Sequence, residues 1–87
     1  MKLIIDINDN KVKAIISEKK KIIDEEGFDL DNNLSEYLLP TIDILLKRNK
    51  LEPKDLEKAE LQANVPDSYT TFRIAKAVVD AINWSKA

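Results

Sequence analysis

Cysteine and histidine are both missing from the 87 residues, and glycine occurs once, at position 27. Without cysteine no disulfide can staple the fold, and without histidine the common zinc sites and imidazole acid/base chemistry are excluded. No apolar stretch approaches the 18 residues that suggest a membrane helix. The apolar run in the opening MKLIIDINDN is too short for the core of a signal peptide, so the expected location is cytoplasmic, with no membrane partner. Charge of one sign is also scarce: 14 basic against 16 acidic residues leave a formal net charge of −2. That balance argues against direct nucleic-acid binding, which needs local positive charge to replace the counterions around phosphates.

What is present is enough for one small domain spanning residues 1–87. Apolar residues make up 44% of the chain and charged residues 34%, the balance of a soluble globular protein. KLIIDIN sets Leu3, Ile5 and Ile7 against Lys2, Ile4, Asp6 and Asn8, the two-residue period of a strand with one dominant apolar face. Asp9 and Asn10 supply a tight turn, KVKAIISE repeats the alternation through Val12, Ala14 and Ile16, and KKKIIDEE reads as a third, shorter strand ended by Gly27. A helix is expected from Leu34 to Lys50, with Asn33 as its N-cap and Pro40 interrupting its second turn. EKAELQAN alternates again as a fourth strand, and Asp67 or Ser68 caps a second helix that runs nearly to the end.

The order is β-β-β-α-β-α. A strand that returns after a crossover helix pairs in parallel by a right-handed connection, which puts the fourth strand beside the first. The expected fold is a two-layer α/β domain with a mixed four-stranded sheet in the order 3-2-1-4. Both helices cover the face of Leu3, Ile5, Ile7, Leu61 and Ala63, and the opposite face stays in water.

Several motifs resolve into plain surface features. Asp29, Asp31 and Asn33 space oxygens like the start of a calcium loop, but Leu34 replaces the required glycine and Pro40 the closing glutamate. Asp6, Asn8 and Asn10 fail the same test at Lys11. The lysines at 11, 13, 19, 20 and 21 suit the defence of an exposed sheet against edge pairing. No metal, cofactor or catalytic set emerges.

The segments SEYLLPTIDILLKRNKLEPKDL and VPDSYTTFRIA resemble, respectively, the first helix and the Gly-Pro-Gly-Ser-Phe-Thr-Gly-Leu-Arg-Ile-Gly turn of the TsaB family, and KLIIDIN is similar to its first strand, with Asp6 at the strand's acidic position. The turn shares Pro66, Ser68, Thr70, Arg73 and Ile74 but replaces every glycine, with Val65, Asp67, Thr71 and Ala75 in their places. The resemblance implies half of an actin-like ATPase (ribonuclease H-like) domain. It also implies a non-catalytic subunit of tRNA threonylcarbamoyladenosine (t6A) synthesis that self-associates through its helices and pairs with a TsaD-like catalytic subunit. Glycine is needed where backbone approaches a phosphate closely, and Asp67 would repel an anion, so the turn is expected to cap a helix and to bind no phosphate.

One feature exceeds what a single sheet face requires. At 100° per residue the apolar positions of the first helix cover an arc of about 220°, against about 100° for a helix that covers only a sheet. The second helix confines Arg73, Lys76, Asp80 and Asn83 to one polar stripe. The excess implies a second interface, expected as a homodimer contact through Tyr37, Ile44, Ile74, Val78 and Trp84. The rival from another class is a small ATP-binding or phosphotransfer protein, for which the chain offers at most Asp6. A stand-alone protein with an unrelated binding role is the third reading.

Overall fold

The computed structural model describes residues 1–8, 10–29, 34–64 and 69–85, with the side chains of Ser35 and Ser85 set aside. Its elements are β1 (Lys2–Asn8), β2 (Lys11–Glu18), β3 (Lys21–Asp29), α1 (Leu34–Arg48), a 3-10 turn (Pro53–Asp55), β4 (Lys58–Ala63) and α2 (Thr70–Ser85). They form one four-stranded sheet in the order β3-β2-β1-β4. β1 is antiparallel to β2, with Ile5 opposite Ala14, and parallel to β4, with Ile5 opposite Leu61. The expected N-caps Asn33, Asp67 and Ser68, and Asp9 of the first turn, lie outside the described residues.

Alternation decides the layers. Leu3, Ile5, Ile7, Val12, Ala14 and Ile16 turn to one face and are buried there under Leu38, Ile42, Leu45 and Leu46 of α1 and Ala75 and Val79 of α2. Leu56 and Ala59 complete this core, and Leu61 and Ala63 of β4 pack partly against it. On the opposite face Lys2, Lys58 and Glu60 form a small ion-pair cluster, with Glu60 3.6 Å from Lys2 and 2.8 Å from Lys58. Ile15 departs from the simple alternation. It lies on the outer face opposite Ile4, yet only 8% of its surface is exposed, because the two central strands set these side chains against each other.

β3 differs from the expected short strand and runs on through Gly27 to Asp29. Gly27 pairs with Lys13, and a Cβ there would meet the Val12 carbonyl oxygen at 2.9 Å and Lys13 Cγ at 3.2 Å. Glycine thus permits a close approach of the two strands, and Phe28 beyond it packs on the core. A register shift between Ile16 and Ser17 sets Ile16 opposite Asp24 and Ser17 opposite Ile22, leaving Ile23 as an extra residue. This bulge leaves two consecutive isoleucines, Ile22 and Ile23, exposed.

α1 continues through Pro40 and stops two residues earlier than the periodicity suggests. Lys50 takes a φ of 57°, the Leu51 N–H donates to the Leu46 carbonyl at 2.8 Å, and the Lys50 N–H donates to that of Lys47 at 3.1 Å. These two bonds are a Schellman ending, built here on lysine instead of the usual glycine. The turn between β2 and β3 uses lysine in the same way, with Lys19 and Lys20 at φ of 50° and 69°.

Candidate functional site: an apolar groove between two helices

Each helix has a flank that its own sheet does not cover. On α1 the β3-side flank is fixed by contacts. The Tyr37 ring lies 5.9 Å from that of Phe28, and Arg48 Nε and Nη1 reach Asp24 and Glu26 at 2.8 and 2.7 Å. At 100° per residue Ile44 falls about 20° from Tyr37 on this same flank, while Leu39 sits about 140° further round. The crest between them is polar, with Glu36, Asp43 and Lys47 exposed and Asp43 paired to Lys47 at 2.9 Å. Leu39 therefore belongs to the other flank, which faces α2.

There the two helices and the 3-10 turn leave an open groove of about 370 Å³ lined by Leu39, Pro53, Ala77, Val78, Ala81 and Ile82. None of these carries a charge or a side-chain hydrogen-bonding group. Ala77 and Ala81 are one turn apart and small enough to leave the groove open, and Trp84 extends their line by another turn and is 83% exposed. Ile74 lies one turn before Val78 and is partly buried with it.

The structure thus divides the five residues expected at a contact surface. Ile74, Val78 and Trp84 lie along the groove side of α2, whereas Tyr37 and Ile44 lie on the far flank of α1. Leu39, Pro53, Ala77, Ala81 and Ile82 are the groove residues outside that expected set. Their signal, an i, i+4 pair of alanines facing an exposed leucine, acquires meaning only once the two helices are known to be neighbours.

A charged cluster at the end of α1 serves the fold. Arg48 Nη2 also donates to the other Asp24 oxygen at 2.9 Å, and Asn49 Nδ2 donates to Asp24 at 2.9 Å and to the Leu45 carbonyl at 2.8 Å. The Arg48 and Asn49 hydrogen bonds hold the Asp24 carboxyl down at about 2, against an ordinary 3.8. Arg48 is raised in turn by its bonds to Asp24 and Glu26. This clamp ties the last turn of α1 to β3.

A second, polar pocket of about 320 Å³ opens at the β1–β2 end and is lined by Asp6, Asn8, Asn10, Lys11 and Lys13. Among the described residues Asp6 is its one carboxylate, and no group of three metal-ligating residues occurs. Among them, too, no helix is long and apolar enough to cross a membrane.

No protein-family model matches the chain, and a search of curated proteins finds no relative. Solved structures do match. Over 98% of its length the chain is similar to YeaZ from Pseudomonas aeruginosa, the TsaB protein, with a TM-score of 0.81 at 16% identity. It is equally similar, at 16% identity and a TM-score of 0.81, to an uncharacterized protein described as resembling peptidase YEAZ from Pseudomonas aeruginosa. The matched parts are 39% and 38% of those chains, so this chain spans about two fifths of their length. The fold is accordingly that of the matched two fifths of YeaZ, with the sheet order 3-2-1-4 and both helices on one face.

Proposed function

We propose that the chain is a non-catalytic association module in which a second copy docks on the groove between α1 and α2, forming a homodimer. The observation that carries this reading is the groove itself: six apolar residues from three elements line it, and Leu39 and Trp84, 56% and 83% exposed, stand at its margins. Soluble proteins rarely leave such a surface open without a partner. A two-fold axis sets the same patch on itself, so the single patch supplies both halves of an interface. The groove offers no acid, base or nucleophile, which suits binding and not chemistry.

A role beside a TsaD-like catalytic subunit in tRNA threonylcarbamoyladenosine synthesis belongs to the same proposal. It rests on the resemblance of the turn and helix sequences and on the half-domain fold. Sedimentation across a concentration series tests the self-association: a mass that rises toward twice the monomer supports it, and a monomer at hundreds of micromolar refutes it. Co-purification from the native host tests the second part, with a TsaD-like protein as the expected companion.

A further inference from the structure

The sheet ends on one side at β4, and the backbone of that edge is closed at one residue. The Ala59 N–H donates to Asn83 Oδ1 at 2.7 Å, and Asn83 Nδ2 donates to the Ala59 carbonyl at 2.9 Å. An asparagine side-chain amide has the same donor and acceptor pair as a peptide group. Asn83 therefore occupies Ala59 as one residue of a neighbouring strand would. Toward β1 the ladder uses the alternate residues, as the Asn64 N–H shows by donating to the Ile7 carbonyl at 3.1 Å. Ala59 points away from β1, and by strand alternation so do the backbone groups of Leu61 and Ala63. Nothing among the described residues pairs with those two on the outer side. Along the same edge runs an open cleft of about 400 Å³ between β4 and α2, lined by Ala59, Glu60, Leu61, Phe72, Lys76, Val79 and Asp80.

We propose that Asn83 is a latch on the β4 edge, and that its release lets β4 pair with β4 of a second copy in one continuous sheet. The pairing is antiparallel about Leu61. That register sets Ala59 opposite Ala63, both with outward backbone groups, so the ladder can form only if the amide of Asn83 leaves Ala59 in each copy. The side chains permit it: Glu60 falls opposite Gln62 and Lys58 opposite Asn64, with no like charges facing each other. The other edge is unsuited. β3 carries its bulge at Ile22 and Ile23, followed by three successive carboxylates, Asp24, Glu25 and Glu26. The latch leaves the helix groove as the surface through which copies meet, and its loss opens a second joint.

Amide exchange and sedimentation together test the latch. In the wild-type protein the Ala59 amide should be protected and those of Leu61 and Ala63 should exchange faster; an unprotected Ala59 overturns the proposal without any mutation. In Asn83→Ala at low concentration, Ala59 exchange should rise about tenfold, the equivalent of roughly one lost hydrogen bond. At higher concentration this variant should form species of twice its parent's mass or more, since a groove dimer carries two β4 edges, and in them Ala59, Leu61 and Ala63 should all gain protection. Adding Gln62→Glu, an exposed change that sets carboxylates opposite Glu60 twice across the joint, should abolish those species, and Gln62→Lys should retain them. An enlarged species that survives Gln62→Glu, or an Asn83→Ala protein that keeps its parent's mass throughout, refutes the proposal. Running the pair of variants also in a Leu39→Asp background separates the edge from the groove, because the edge joint should form there as well.

Discussion

Leu39→Asp is the sharpest probe of the groove. Leu39 is 56% exposed, so just over half of its surface remains for a partner to cover. Full burial of a leucine stabilises by about 1.5 to 3 kcal/mol, so the uncovered half accounts for about 1 to 1.5 kcal/mol in each copy. Two-fold symmetry doubles this to about 2 to 3 kcal/mol, a weakening of roughly 30- to 150-fold. Each copy would also bring an unpaired carboxylate into an apolar groove, which raises the cost further. A dimer with a dissociation constant of about 1 μM should thus weaken to one of roughly 100 μM or more, and be monomeric at the low micromolar concentrations where the parent is still dimeric. The monomer itself should be little affected, because Leu39 lies outside the buried core. A surface change of about 0.5 kcal/mol or less moves the midpoint by about 4 °C at most in a domain of this size. Ile44→Asp is the matched control. It is 53% exposed on the same helix, but lies on the β3-side flank beyond the polar crest. Sedimentation equilibrium of both variants should show Leu39→Asp monomeric and Ile44→Asp still dimeric. Equal effects of the two, or the reverse order, would sink the groove as the interface.

Three other outcomes are expected. Because Asp24 is held at about 2 against 3.8, its ionised form stabilises the fold above pH 4, and that stabilisation is lost as pH falls through about 2; Asp24→Asn should flatten the acid arm of stability, read by urea midpoints between pH 2 and 5. Lys20→Gly should stabilise the fold by about 0.5 to 1 kcal/mol and so raise the thermal midpoint, since a lysine at φ of 69° is strained where glycine is not, and an unchanged or lower midpoint contradicts this. Calorimetric titration with ATP and magnesium should show no specific heat of binding, because among the described residues Asp6 is the lone carboxylate in the pocket at the β1–β2 end, and a micromolar dissociation constant would restore the nucleotide-binding rival.

The sheet order was legible in the sequence because β1, β2 and β4 alternate cleanly and a single crossover leaves one natural place for β4. The length of β3 was not, since Gly27 reads as a terminator until its approach to the Val12 carbonyl is seen. The Asp24, Glu26 and Arg48 clamp escaped for a related reason: three charged residues look solvated until α1 is placed over β3. The groove was half legible. Helical periodicity measures how wide an apolar arc is, and so it showed that both helices carry more than one face. It does not say which flank meets a neighbouring helix, which is why Ile74, Val78 and Trp84 lie along the groove while Tyr37 and Ile44 do not.

The parallel pairing of β1 with β4 also orders events in time. β1, β2 and β3 are joined by short turns and can zip together locally, whereas Lys2 meets Lys58 only after a loop of more than fifty residues has closed. α2 packs chiefly on β4, so it gains its footing in that same late step. The groove has α2 as one wall and does not exist before then. A partner that reads the groove therefore reads a domain with α2 already in place, and a nascent chain halted before α2 has nothing for it to hold.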